Sequence, residues 1–138
     1  MSNYASLYLA GLREAVNVSL PVATATAVEV GDLLKLVAGL VTPVTAAADD
    51  ATVIGFAVEA KAANVATTTG KITVALVDGI SRMKVNLAVA ATVAVGAQLE
   101  IVSRNTFVVG ATDPVATVVE GGTTVSSVTA IFKRSPLI

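Results

Sequence analysis

Few residues of this chain have the type and spacing to do chemistry, and the adjacent carboxylates Asp49-Asp50, in the loop AAADDATV, come first. Neighbouring carboxylates can bind Ca²⁺, but the ion needs six to eight oxygens. No DxDxDG-type spacing surrounds the pair, so a solvated turn is the simpler reading and no metal is expected. Glu29, Glu59, Glu100 and Glu120 are well separated, and the sequence gives no reason to place two of them across one scissile bond. A carboxylate-dependent hydrolase is therefore unsupported. Gly121-Gly122-Thr123-Thr124 has the composition of a phosphate-binding loop without the GxGxxG or GxxxxGK[ST] frame that makes one. Thr67-Thr68-Thr69-Gly70 reads as another loop. Lys133-Arg134 is too small for a nucleic-acid patch and is expected to solvate a strand end or meet an acidic neighbour.

What the chain lacks narrows the chemistry further. It has no histidine and no cysteine, which removes Ser-His-Asp and Cys-His nucleophiles, Cys/His zinc sites and disulfides. The expectation is a non-enzyme without cofactor. Nine Lys+Arg against ten Asp+Glu leave it near neutrality, with no electrostatic footprint for nucleic acid or an anionic membrane.

The apolar content is high: 54% of residues are hydrophobic even with glycine left out, against about 45–50% with glycine counted in ordinary domains. No run of about 18 to 20 apolar residues could form a membrane helix. The best stretch, Val85 to Leu99, is broken by Asn86, Thr92, Gly96 and Gln98. An eight-stranded membrane barrel would want aromatic girdles and a signal peptide, and the chain has three Phe, two Tyr, no Trp and no recognisable leader. The excess is thus expected at a subunit interface, in an obligate oligomer.

The elements that must carry these residues are strands. Twenty-five Val and sixteen Thr, broken at near-regular intervals by Gly, Pro, Asn and Asp, indicate an all-β domain over residues 21–138, a small antiparallel barrel or sandwich of Gly-opened hairpins. In KITVALVDGISRMKVNL, residues 71–87, Asp78-Gly79 predicts a two-residue type I′ hairpin in which Ile72 meets Val85, Val74 meets Met83 and Leu76 meets Ser81. Thr73 opposite Lys84 and Ala75 opposite Arg82 would form the outer face. VEVGDLLKLV at 28–37 returns as VAVGAQLEIV at 93–102, and each predicts a hairpin: Leu33–Val37 with Leu40–Val44 around Ala38-Gly39, and Gln98–Ser103 with Thr106–Val109 around Arg104-Asn105. At the same offset of sixty-five, Ala51-Thr52-Val53 falls on Ala116-Thr117-Val118, so a pseudo-repeat of about 28–60 and 93–125 is expected, its two units closing on each other. The alternative is two unrelated hairpins of one β-domain. Phe56, Phe107 and Phe132 are expected in the core.

Residues 1–20, MSNYASLYLAGLREAVNVSL, differ. Tyr4, Leu7, Tyr8 and Leu12 recur at helical spacing, and Pro21 closes the segment. Either a short helix packs on the sheet, or an arm leaves the domain and these four residues contact a partner, tyrosine being enriched at interface cores.

The order VxVGDLLKL, GLVTPVT, DDATVIGFAVEA, GKITVALVDG and VAVGAQLEI, across residues 28–132, resembles the capsid cement or decoration proteins of tailed bacteriophages. The resemblance implies a compact β-domain, commonly a homotrimer, assembled in the host cytoplasm and bound to the outer face of an icosahedral head. There it would bridge and stabilise major capsid protein subunits. A receptor- or glycan-binding β-module of a tail or fibre is the alternative.

Overall fold

The computed structural model describes residues 8–10, 16–63 and 70–138. Its strands are β1 (Tyr8–Ala10), β2 (Val16–Pro21), β3 (Leu33–Val37), β4 (Leu40–Pro43), β5 (Val53–Ala57), β6 (Lys71–Leu76), β7 (Arg82–Val93), β8 (Gln98–Ser103), β9 (Thr106–Val109), β10 (Ala116–Glu120) and β11 (Gly122–Phe132), with one 3-10 helix over Ala47–Thr52. No helix among the described residues is long and apolar enough to cross a membrane.

The strands form two sheets whose orders are the same. One runs β2-β6-β5-β3-β4; the other runs β7-β11-β10-β8-β9, with β1 added beside β7. Raising each label of the first by five gives the second. In the second sheet β7 also pairs with β9 in parallel, Asn86 with Thr106 and Leu87 with Phe107, which closes a five-stranded barrel. In the first, one parallel bridge between Val22 and Val41 brings the outermost strands together in the equivalent place. The duplication is thus a whole five-strand unit, longer than the two hairpins that reveal it. Each unit closes on itself, and the two meet at a shared apolar cluster. The agreement at the Gly-opened turns is detailed: Asp32 N–H reaches Glu29 O and Ala97 N–H reaches Ala94 O, both at 3.1 Å. Gly31 donates to Ala57 O and Gly96 to Val118 O, both at 2.8 Å. Gly31 and Gly96 have φ of 88° and 93°, a conformation open to glycine at little cost. Ala57 therefore corresponds to Val118, four residues off the constant offset. Ala51-Thr52-Val53 belongs mostly to the 3-10 helix, and its match to Ala116-Thr117-Val118 is coincidental.

The two predicted Gly-opened hairpins form. β3 and β4 meet with Val37 opposite Leu40, both turn residues having positive φ (Ala38 52°, Gly39 79°), and β8 and β9 meet with Ser103 opposite Thr106. The predicted Asp78-Gly79 hairpin does not. Ile72 pairs with Leu20 and Val74 with Val18, whereas Val85 pairs with Val128 and Met83 with Ala130. Only Gly79 has positive φ at this corner, and a type I′ turn needs it at both central residues. The Asp78 carboxylate instead accepts from the N–H groups of Ile80 and Ser81 and from the Ser81 hydroxyl. Meanwhile Val77 donates to Ile54 O and accepts from Ser135 N–H. The corner carries the chain from one unit to the other.

Alternation still set the faces. Ile72, Val74 and Leu76 are buried inside the first unit, and Met83, Val85 and Leu87 inside the second. The first unit also turns Leu33, Val44, Val53, Phe56 and Val77 towards the second, so one apolar cluster runs through the joint. All three phenylalanines are buried there. Phe132 stacks edge-on with Phe56 (centroids 5.0 Å apart, 89°) and with Phe107 (5.4 Å, 69°), the arrangement that ring quadrupoles favour.

The helical spacing of residues 1–20 does not become a helix in the part described. Tyr8–Ala10 is a strand against Arg82 and Met83, and Val16–Pro21 is a full member of the first sheet, paired with β6 over its whole length. Tyr4, Leu7 and Leu12 lie outside the described residues.

Candidate functional site

The charged residues are largely committed to holding the fold. Asp49 bonds Lys35 Nζ at 2.9 Å and accepts from Thr45 N–H (2.8 Å) and Ala46 N–H (3.2 Å), which ties the start of the 3-10 helix to β3. Burial alone would raise its pKa, but these N–H groups and the Lys35 ammonium outweigh it and hold the carboxyl below its usual range. Asp50 meets Lys133 at 3.6 Å, across the joint between the units. The predicted acidic neighbour of Lys133-Arg134 is therefore one of the paired carboxylates. Glu59 accepts Thr73 N–H and Glu100 accepts Thr112 N–H. No cluster of three potential metal-ligating side chains occurs among the described residues.

The most demanding polar contact was not singled out by the sequence. Arg104, in the β8–β9 turn of the second unit, reaches into the Gly-opened turn of the first. Its guanidinium donates to Asp32 Oδ2 and to Ala27 O, each at 3.1 Å. Its backbone accepts from Leu33 N–H at 2.7 Å and donates to Val44 O at 3.0 Å. Asp32 is fully buried; its Oδ2 also accepts from Glu29 N–H, while Oδ1 has no hydrogen-bond partner. Burial raises its pKa; the Glu29 N–H and Arg104 oppose this, and the Glu29 charge adds to it. A carboxylate is not required by the turn, because Ala97 fills the same place in the second unit. Asp32 is there for Arg104.

A signal for this contact was present in the repeat. At the offset of sixty-five, Asp32 falls on Ala97, Lys35 on Glu100 and Gly39 on Arg104. Glu29 falls on Ala94 as well, so four positions of these otherwise similar segments differ in charge. Asp32, Lys35, Glu100 and Arg104 are all engaged in side-chain bonds, so three of the four places where the copies disagree in charge carry contacts that the other copy lacks.

Beside the joint lies a cavity of about 230 Å³, lined by Phe56, Leu76, Met83 and Phe132 with Asp78 and Ser81 at its polar side. Tyr8, the one predicted contact residue within the described backbone, pairs with Met83 of this lining. Elsewhere the surface is apolar where β7 and β9 part. Val89 is 75% exposed, and Val108 and Val109 are also exposed.

No protein-family model and no curated protein matches the sequence. Among solved structures, the chain is similar to one described as the head fiber gp8.5 N base of bacteriophage phi29. The TM-score is 0.57 at 16% identity, covering 87% of this chain and 97% of that one. At this identity the likeness is one of fold, and it extends over nearly the whole of both chains.

Proposed function

We propose that this chain is a non-enzymatic structural protein of a phage virion, carried on the outside of the head. The observation that carries the reading is the near-complete fold correspondence with a phage head-fibre base. The resemblance of the Gly-opened hairpins to capsid cement proteins, reached independently from sequence, supports the same reading. In this role the protein self-associates and bridges major capsid protein subunits, and many symmetric copies turn weak contacts into a firm shell. Tyr4, Leu7, Tyr8 and Leu12 enter as capsid-contacting residues on sequence grounds. Deleting residues 2–7 tests Tyr4 and Leu7 while keeping β1, which is paired with β7, and single substitutions to alanine test Tyr8 and Leu12.

The identity of the structural neighbour as a head-fibre base favours a second reading, the base of a fibre mounted on the head. Quantitative mass spectrometry of purified virions separates the two. A copy number near that of the major capsid protein supports cement. A small fixed fraction supports a fibre base or a tail module that binds a receptor or glycan. Absence from virions refutes both.

A further inference from the structure

The backbone bonds of the two units put the joint face of the first in register with an open face of the second. Val44 N–H donates to Leu33 O as Gly110 N–H does to Gln98 O, both at 3.0 Å. Phe56 lies opposite Leu33 as Thr117 lies opposite Gln98. Val77 N–H reaches Ile54 O, two residues before Phe56, as Lys133 N–H reaches Val115 O, two residues before Thr117. Leu33, Val44, Phe56 and Val77 therefore correspond to Gln98, Gly110, Thr117 and Lys133.

The two sets have opposite character. The first four are apolar and buried, members of the cluster that runs through the joint. Gln98, Thr117 and Lys133 are exposed and line one open groove. The ion pair across the joint, Arg104 with Asp32, is missing from both outer ends of the pair of units. Ala97 stands where the first unit has Asp32, and Gly39, in an exposed turn, stands where the second has Arg104. Were the two units alike at these places, the second unit of each chain could receive the β3–β4 turn of another copy, as its first unit receives the β8–β9 turn. A contact of that head-to-tail kind extends into a fibre unless its rotation closes a ring. Repeat arrays are stopped by terminal units whose outer face is polar.

We infer that both outer ends are caps: the joint forms once, inside each chain, and copies do not stack head to tail through it. The inference goes beyond the proposed place on a phage head and does not depend on it. Sedimentation velocity of the full chain, with circular dichroism to establish folding, tests it. The wild type is expected to reach a plateau sedimentation coefficient as concentration rises. Thr117→Arg, a substitution at an exposed position in the groove, is expected to keep that plateau and the wild-type spectrum. Restoring the joint's residues at both ends, with Gly39→Arg, Ala97→Asp, Gln98→Leu, Thr117→Phe and Lys133→Val, is expected to remove the plateau, the coefficient rising at least about twofold above it. Space for the new arginine exists, since a Cβ at Gly39 meets nothing within 4 Å. A wild type that grows without plateau, or a folded Thr117→Arg chain whose plateau falls, would overturn the inference by showing that the face already serves as an interface. A folded restored chain that keeps the wild-type plateau would overturn it as well. If the restored chain does not fold, the wild type and Thr117→Arg decide.

Discussion

Replacing Arg104 by alanine removes the one counter-charge that meets Asp32 among the described residues and leaves a wholly buried carboxylate with one hydrogen bond, from Glu29 N–H. Breaking a buried ion pair costs about 3–5 kcal/mol. The Arg104 side chain is 39% exposed, so solvent already screens part of the attraction, and about 2–3 kcal/mol is the expected loss. With a urea dependence of about 1–3 kcal/mol per molar, the unfolding midpoint falls by about 0.7–3 M. Asp32→Asn in the Arg104→Ala background removes the stranded charge and retains an acceptor for Glu29 N–H. It is expected to recover most of the loss, as the equivalent turn manages with Ala97.

The pH dependence gives this prediction a sign. The folded-state pKa of Asp32 is raised. Its stabilising contribution is therefore full below the unfolded value and is lost as pH rises through the folded one. Removing Arg104 raises the folded value further. The deficit of Arg104→Ala should accordingly be larger at pH 8 than at pH 5. Urea titrations of the wild type, Arg104→Ala and the double variant at both pH values measure it. Equal midpoints for the single and double variants at pH 8, or a deficit that grows on acidification, would refute the argument.

Two further outcomes follow from the same geometry. In Gly55→Ala the new Cβ would stand 2.1 Å from Ala75 O and 2.8 Å from Ala75 C, backbone atoms that cannot yield without parting β5 from β6. Gly39→Ala meets nothing within 4 Å and is left with about 1 kcal/mol of left-handed backbone cost. Thermal melts should show Gly55→Ala as the much weaker fold, and comparable melts would contradict the close approach. For Asp49 the pKa is lowered, so its contribution is present above the unfolded value and is lost as pH falls through the folded one. Asp49→Asn should cost about 1 kcal/mol at pH 7, with wild-type and variant stabilities converging as Asp49 protonates; a difference that persists in acid would contradict it.

The reading of DGI at 78–80 shows where local pattern stops being informative. Period-two alternation fixes which side of a strand is buried, and Ile72, Val74, Met83 and Val85 are all buried as it requires. It does not fix the neighbour across the backbone. Asp-Gly is compatible with a hairpin and with a corner. Which one forms depends on Val77 bonding Ile54 and Ser135, partners far away in sequence. The N-terminal segment taught the same lesson in reverse. Val16, Val18 and Leu20 alternate as a strand does, but their helical-looking neighbours at Tyr4, Tyr8 and Leu12 obscured it, and only pairing with β6 decides for extension.

By itself the sequence determined the β class, the glycines that open both units, the two hairpins around Ala38-Gly39 and Arg104-Asn105, and the absence of histidine and cysteine chemistry. Each of these is a local property of residue type, backbone freedom or side-chain alternation. Only the tertiary structure decided that each unit closes on itself, that Arg104 of one grips Asp32 of the other, and that β7 leaves the barrel halfway along its length to continue with β11. Those are long-range choices among pairings of similar local merit, settled by which arrangement buries the three phenylalanines together and satisfies the backbone groups around them.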